Sequence, residues 1–228
     1  MEMSEIQKLV AEAVSDADLS PEEIPAIDLY VDQITSLAAD KVREGAPRFH
    51  DRVLTKTMIN NYSKDGLISP IKGKKYSKEQ ILQMLLVYSL KSTLSIGEIK
   101  RVLQNVYQHP EYSVGMLEDT YSRFLAVKQG ERAGAFEAFE GFIKDTGLDP
   151  DDESDFLTLI LSLASVSSYC KTLTQALLEA HYPDIEAEQE REETEKKAEK
   201  KAEKAEKKAE KKAEKAEKKA KKSEGDAE

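Results

Sequence analysis

The sequence predicts a mainly α-helical protein that ends in a long charged tail. Apolar residues recur at helical spacing through most of the chain, and serine or threonine stands where helices would begin. Alternating patterns typical of strands are sparse. We expect four regions: an acidic N-terminal helix at 1–23, a helical domain at 24–108, an acidic helical bundle at 109–184 and a low-complexity tail at 185–228.

Composition excludes several classes of protein. Cys170 is the single cysteine among 228 residues, so a disulfide-stapled secreted scaffold is excluded. The three histidines, His50, His109 and His181, fit no HExxH spacing, and we expect neither a metal nor a cofactor. No P-loop, GxGxxG or nucleophile-elbow motif is present, so we expect no enzymatic activity. The acidic N-terminus does not resemble a signal peptide, which predicts a cytoplasmic protein.

The net charge of −10 is unevenly distributed along the chain. Residues 48–104 hold eleven lysines and arginines against four acidic residues, whereas 1–47 and 105–185 are strongly acidic. Because salt screens charges beyond roughly 8 Å, a local basic region can meet phosphates even when the whole chain is acidic. A lysine-rich solvated surface is the alternative interpretation.

Two helices are predicted in the first half of the helical domain. One covers residues 27–44, with Ile27 and Ile34 on its apolar face. The other covers residues 55–64, with Thr55 as its N-cap, and ends at a glycine that can adopt the left-handed conformation.

Beyond these helices, a short extended segment at 70–74 is expected to form a hairpin. Ser77 and Ser95 each begin a capping box followed by an apolar periodic run, which predicts two consecutive helices. Further helices are expected at 112–128 and 132–146.

The most apolar segment is a predicted helix at 156–178. Its apolar run from Phe156 to Cys170 has 15 residues, short of the roughly 20 that span a bilayer, and we expect no membrane segment. A helix that is apolar on nearly every side must be buried. Two places of burial stay open, the centre of the C-terminal bundle and a homodimer interface.

The tail after Ile185 contains no apolar residue other than alanine, and its lysine, glutamate and alanine residues repeat with a period of 11. This pattern predicts a partly formed helix without a core. Its role is open among a solvated spacer, a lysine face on nucleic acid or ribosome, and antiparallel self-pairing.

One block of the helical domain resembles the MerR-type winged helix-turn-helix. The shared features are a capped Ile-x-x-Tyr helix, a Gly-Leu-Ile turn, a basic wing that ends in Tyr-Ser, an apolar helix and a second capped helix. They are carried by Thr55, Ile59, Tyr62, Gly66-Leu67-Ile68, Lys74-Lys75-Tyr76-Ser77, Ile81-Leu82 and Ser95 to Leu103.

Three longer stretches look like a bacterial family, domain of unknown function 1836, which is grouped with MerR-like proteins. They are Ile24 to Tyr30, Leu54 to Pro70 and Lys74 to Ile96. The resemblance implies that the family covers roughly residues 24–180. The acidic segment beyond the basic domain has no cysteine cluster, so we do not expect metal sensing.

The resemblance implies a DNA-binding transcriptional regulator, with the 55–64 helix in the major groove and a basic wing on phosphates. The partner would be double-stranded DNA. The candidate DNA-binding residues are Lys56, Thr57, Asn60, Asn61, Lys64, Lys72, Lys74, Lys75 and Tyr76. The alternative is a non-enzymatic protein-interaction adaptor that has lost DNA contact and engages a basic partner through its acidic regions.

Overall fold

The computed structural model describes residues 3–15, 18–44, 54–71, 73–185, 187 and 194–197. The chain divides into two compact units, Met1–Pro183 and Asp184–Glu228. In the second unit the described residues 194–197 are helical, and the backbone N–H of Ala187 donates to the Asp184 carboxylate at 3.1 Å. All elements named below belong to the first unit.

The first unit is mainly helical, which confirms the predicted class. Its described residues form α-helices, one short 3-10 helix and two short strands. In chain order these are α1 (Met3–Ala13), the 3-10 helix (Pro21–Glu23), β1 (Leu29–Tyr30), α2 (Val31–Glu44), α3 (Lys56–Lys64), β2 (Lys75–Tyr76), α4 (Lys78–Leu90), α5 (Ile96–Tyr107), α6 (Val114–Ala133), α7 (Ala135–Thr146) and α8 (Glu153–His181).

Local capping signals fix where the central helices begin. The hydroxyl of Thr55 accepts a hydrogen bond from the Met58 N–H at 3.2 Å and caps α3. Ser77 and Ser95 form the two predicted capping boxes, at the starts of α4 and α5. Each of these caps satisfies N–H groups that have no partner inside the helix. All three predicted helix starts are therefore confirmed.

The start of α2 differs from the prediction because a strand precedes it. Leu29 and Tyr30 form β1, which pairs antiparallel with β2 in the register Leu29↔Tyr76 and Tyr30↔Lys75. Ile27, expected on the apolar face of the helix, is 69% exposed. The extended segment near residue 74 therefore pairs with a distant strand rather than forming the expected local hairpin.

Helix α4 lies at the centre of the core, packed against α3, α6 and β2. Its residues from Gln80 to Leu85 are buried, together with Val87. The fully buried amide of Gln83 donates to the hydroxyls of Ser69 and Tyr112, both at 2.9 Å, and accepts from the Ser69 N–H at 2.7 Å. These bonds offset the cost of removing the amide from water.

The N-terminal part of the unit is joined to the later helices by packing and by an ion-pair group. Helix α1 packs against α7, and α6 packs against both α4 and α7. Asp18, which follows α1, pairs with Lys128 at 2.8 Å and with Arg132, both on α6. The three side chains are 17–28% exposed, so water screens them only in part.

Helix α8 has the composition of a buried helix but is mostly exposed. Leu159 and Leu178 are buried, whereas Leu161, Tyr169 and Leu173 are 59%, 71% and 60% exposed. Burial at the centre of the C-terminal bundle, one of the two places that the sequence left open, is therefore wrong. The helices that would surround α8 there pack more extensively against other helices, α6 against α4 and α7 against α1.

By length and composition alone, α8 is long and apolar enough to cross a membrane. Its best 18-residue window has a mean hydropathy of 1.4. The helix has 29 residues, because it continues beyond the apolar run through threonine, glutamine and alanine. The absence of a membrane segment stays a prediction.

Candidate nucleic-acid interface

Helix α3 divides its side chains into an inward apolar face and an outward polar face. Ile59 and Tyr62 are 0% and 1% exposed and belong to the core around α4. The outward side chains are all exposed, and they are Lys56, Thr57, Asn60, Asn61 and Lys64. Thus the structure places these five predicted residues on one helix, with their polar groups in solvent.

Both ends of α3 are fixed by local bonds. The Thr55 cap holds the first turn, and Gly66 with φ +69° follows the last turn. The N–H of Leu67 then bonds to the Tyr62 carbonyl at 2.9 Å, which is the closure expected of a left-handed helix end. The outward amides of Asn60 and Asn61 therefore project from a backbone with a defined position.

Lys56 is partly neutralised by a neighbouring carboxylate. Its Nζ lies 3.2 Å from Asp32 in the first turn of α2, and both side chains are more than half exposed. An exposed pair of this kind contributes little stability, so a phosphate can compete with Asp32 for the lysine.

The strand β2 brings further lysines to the same side of α2. Lys74 and Lys75 are exposed, and Lys75 Nζ lies 5.0 Å from the ring centroid of Tyr30 in β1. Tyr30 immediately precedes α2 and stands two residues before Asp32, the partner of Lys56. The two-stranded ribbon formed by β1 and β2 and the start of α3 therefore meet at the same end of α2.

Two of the predicted wing residues have a different standing. Lys72 lies outside the described residues. Tyr76 is 5% exposed, opposite Leu29, and burial raises the pKa of its hydroxyl. Its side chain belongs to the core, so the prediction that Tyr76 contacts DNA is wrong.

The described residues of the acidic regions form no ion pair with the exposed lysines of the ribbon. Within the part of the chain that the structure describes, no carboxylate lies within 4.0 Å of the Lys74 or Lys75 ammonium group. Tyr30 under Lys75 and Asp32 beside Lys56 were not found by sequence reasoning, because residues 27–44 were interpreted as one continuous helix.

The comparisons with known proteins concern this same part of the chain. Residues 19–124 match the family described as Domain of unknown function (DUF1836). The match begins at the buried Leu19 and ends within α6, so it includes the core around α4 and the interface residues. It stops short of the expected limit near residue 180, which leaves α7 and α8 outside. No curated protein and no solved structure matches the chain.

Proposed function

We propose that the helical domain binds double-stranded DNA as a MerR-like winged helix-turn-helix and acts in transcription regulation. The observation that carries the proposal is the outward face of α3, where amide, hydroxyl and ammonium groups are exposed and α3 itself contributes no carboxylate. An α-helix of this kind fits the major groove, whose base edges offer donors and acceptors.

The order of elements also supports this proposal. The chain runs through β1, α2 and α3, and then returns through β2 to pair with β1 before α4 begins. In this arrangement α2 supports α3 from behind, and the β1–β2 ribbon takes the place of a wing.

The two groups of residues have different roles in the proposal. Asn60 and Asn61 can each bond an adenine edge through a bidentate amide, worth about 1–3 kcal/mol of discrimination per base pair. Lys56, Lys74 and Lys75 contact phosphates, which position the protein without reading sequence. The total charge of −10 is compatible with this, because the acidic residues are concentrated in other regions.

The test is a binding titration of the full chain with genomic DNA fragments at several salt concentrations. Replacing Lys74 and Lys75 with alanine is expected to weaken binding to all sequences and to reduce the slope of log affinity against log salt by about 2. The matched control is Lys8→Ala with Lys144→Ala on α1 and α7, which changes the net charge equally and should leave the slope unchanged.

A second variant separates base recognition from the phosphate contacts that position the protein. Asn60→Ala is expected to keep the salt slope and to relax the preference at one or two base pairs. If the Lys74/Lys75 variant and the Lys8/Lys144 control changed the salt slope equally, the proposed ribbon contacts would be overturned. The absence of any DNA binding at low salt would overturn the function itself.

The alternative, a protein-interaction adaptor, is favoured by one observation, the exposed apolar surface of α8. Leu157, Leu161 and Leu173 are each about 60% exposed, and large exposed apolar patches mark interaction sites. An adaptor shows no shift of DNA at any salt concentration, so the same titration distinguishes the two functions.

A further inference from the structure

The exposed face of α3 carries one kind of base-recognising chemistry. Lys56 and Lys64 are the first and last residues of the helix. The exposed side chains between them are Thr57, Asn60 and Asn61. Because successive residues of a helix turn by about 100°, these three side chains share an arc of about 100° on the side opposite the buried residues. Two amides and one threonine therefore form the centre of the exposed face.

Both amides are available to a ligand. Among the residues that the structure describes, none forms a hydrogen bond with the side chain of Asn60 or Asn61. The backbone that carries them is held by the Thr55 cap before α3 and by the closure at Gly66 after it. Side chains on a fixed backbone lose less freedom when a ligand binds, so these amides can contribute to specificity.

The asparagine amide matches adenine better than it matches guanine. It places a donor beside an acceptor, and the major-groove edge of adenine offers the complementary N7 acceptor and N6 donor. Guanine presents two acceptors there, N7 and O6, so the amide oxygen would be removed from water without a donor. A bidentate pair of this kind discriminates against the wrong base by about 5- to 150-fold in affinity.

The side chains that recognise G·C base pairs are absent from the centre of this face. Guanine is recognised by arginine or lysine, and cytosine by aspartate or glutamate. Helix α3 contains no arginine and no carboxylate, and its lysines stand at its two ends. Nine residues span about 13 Å and the major groove is about 12 Å wide, so the ends of a helix in the groove lie near the phosphates. Lysines there contribute affinity to every sequence.

The spacing of the two amides fits two successive base pairs. Asn60 and Asn61 are neighbours in the chain, and the Cα atoms of neighbouring residues are about 3.8 Å apart. Successive bases of one DNA strand are about 3.4 Å apart along the axis of the duplex. Two adenine edges at this distance can each meet one amide.

Thr57 adds a contact of a different kind. It stands three residues before Asn60 and four before Asn61, the spacings at which side chains of a helix are neighbours. Its methyl group can therefore pack against the C5-methyl group of a thymine, which lies in the major groove beside the adenine edges. Adenine edges and thymine methyl groups occur together only in A·T base pairs.

We propose that α3 selects two successive A·T base pairs, with Asn60 and Asn61 bonded to the adenine edges and Thr57 against a thymine methyl group. The inference rests on the proposed binding of double-stranded DNA and names the class of site that the helix recognises. The lysines at the ends of α3 and on the ribbon contact phosphates of any sequence. Overall affinity and selection of A·T pairs are therefore separate properties, which different measurements test.

The first experiment selects DNA with the full chain. The protein is mixed with a pool of duplexes of randomised sequence, and the bound duplexes are sequenced. We expect two adjacent A·T pairs to be the most strongly selected positions. A G·C pair there, or salt-dependent binding without any sequence preference, would overturn this inference and leave the proposed function intact. The absence of binding to any duplex at low salt would overturn the proposed function.

The second experiment assigns each amide to one adenine of the selected duplex. Replacing one adenine with 7-deazaadenine removes the N7 acceptor and keeps the base pair. We expect the affinity to fall about 5- to 150-fold at each of the two positions. In Asn60→Ala the replacement should have no effect at one position, and in Asn61→Ala it should have none at the other.

A matched control removes an exposed amide from another helix. Gln129 lies on α6 and is exposed, and Gln129→Ala should keep the full effect of 7-deazaadenine at both positions. If both asparagine variants also kept the full effect at both positions, the assignment would be overturned, and the selection would come from DNA shape. Circular dichroism should show the same helix content in all three variants, since the three side chains are exposed.

The third experiment tests the contact of Thr57. Uracil in place of thymine removes one methyl group from the major groove, and the affinity of the unchanged chain should fall about 4-fold. Thr57→Ser keeps the hydroxyl and removes the methyl group of the protein, so this variant should bind the thymine and uracil duplexes equally. An equal loss in the unchanged chain and in Thr57→Ser would overturn the role of Thr57.

Discussion

Helices α4 and α8 are both apolar on most sides, yet they meet opposite environments. In α4 seven of 13 residues are buried, whereas in α8 two of 29 are. The difference lies in the number of neighbours rather than in the helices themselves. Helix α4 has α3, α6 and β2 packed against it, while α8 is contacted near its two ends.

The polar residues of the two helices show the same difference. In α4 the buried Gln80 and Gln83 bond to the backbone and side chain of Ser69, so the polar groups are matched by the surrounding chain. In α8 the serines and threonines face water or bond back within the helix, as Thr174 does to the Cys170 carbonyl. A helix can thus have an apolar composition that favours burial although no other part of the same chain packs around it.

The largest expected effect contrasts one leucine from each helix. Leu82→Ala in α4 removes a side chain that is 0% exposed and should lower the free energy of unfolding by about 2–5 kcal/mol. Leu173→Ala in α8, at 60% exposure, should change it by less than about 0.5 kcal/mol when the chain is dilute. Urea denaturation measures both.

Protein concentration sharpens this contrast. If a second copy covers α8, the effect of Leu173→Ala grows as the concentration rises, since dimerisation then contributes to stability. Equal losses for the two leucines in dilute solution would contradict the exposure of α8.

The next largest effect concerns pH and the core beside α4. Burial raises the pKa of Tyr62 to about 12. Tyrosine ionises near pH 10 in the unfolded chain, so between pH 10 and 12 the unfolded state loses a proton that the folded state keeps. The free energy of unfolding is therefore retained below pH 10 and falls as the pH rises through 12, by up to about 3 kcal/mol for this group.

Denaturation curves at successive pH values measure this fall, and Tyr62→Phe removes the part due to Tyr62. The Tyr62 hydroxyl is buried without a hydrogen-bond partner among the described residues. At neutral pH the phenylalanine variant should therefore be as stable as the unchanged protein or more stable. A large loss of stability at neutral pH would show that the hydroxyl is bonded.

The smallest effect compares two glutamines. Gln83→Ala leaves the Ser69 N–H without its 2.7 Å partner in the core and should cost about 1–3 kcal/mol in unfolding free energy. Gln175→Ala on α8 removes a bond to Glu98 that water can replace, and should cost less than about 1 kcal/mol. Thermal denaturation at one protein concentration compares the two variants. A larger loss of stability for Gln175→Ala than for Gln83→Ala would contradict the burial of α4 and the exposure of α8.

What could be predicted from the sequence was mostly local. The caps at Thr55, Ser77 and Ser95 depend on bonds between residues three apart, so a short segment contains the whole signal. The outward face of α3 was also predicted, because the spacing of Ile59 and Tyr62 fixes which side chains point away from the core.

What could not be predicted depends on distant parts of the chain. Two-residue strands are too short to show alternation, so the pairing of Tyr30 with Lys75 had no sequence signal. The sequence places Tyr76 in the interface because it follows two lysines. In the structure Tyr76 pairs with Leu29 across the two strands, and its side chain points into the core. The exposure of α8 was missed because burial depends on how many other helices are free to pack against it.

The smallest sheet in the molecule has a consequence for the order of folding. Residues 30 and 75 are brought together by β1 and β2, and the chain between them includes α2 and α3. Closing so long a segment costs chain entropy, whereas the turns of α4 and α5 form from neighbouring residues. We therefore expect β1 and β2 to pair late in folding, after the core around α4 has formed. This pairing would then fix the final position of α3.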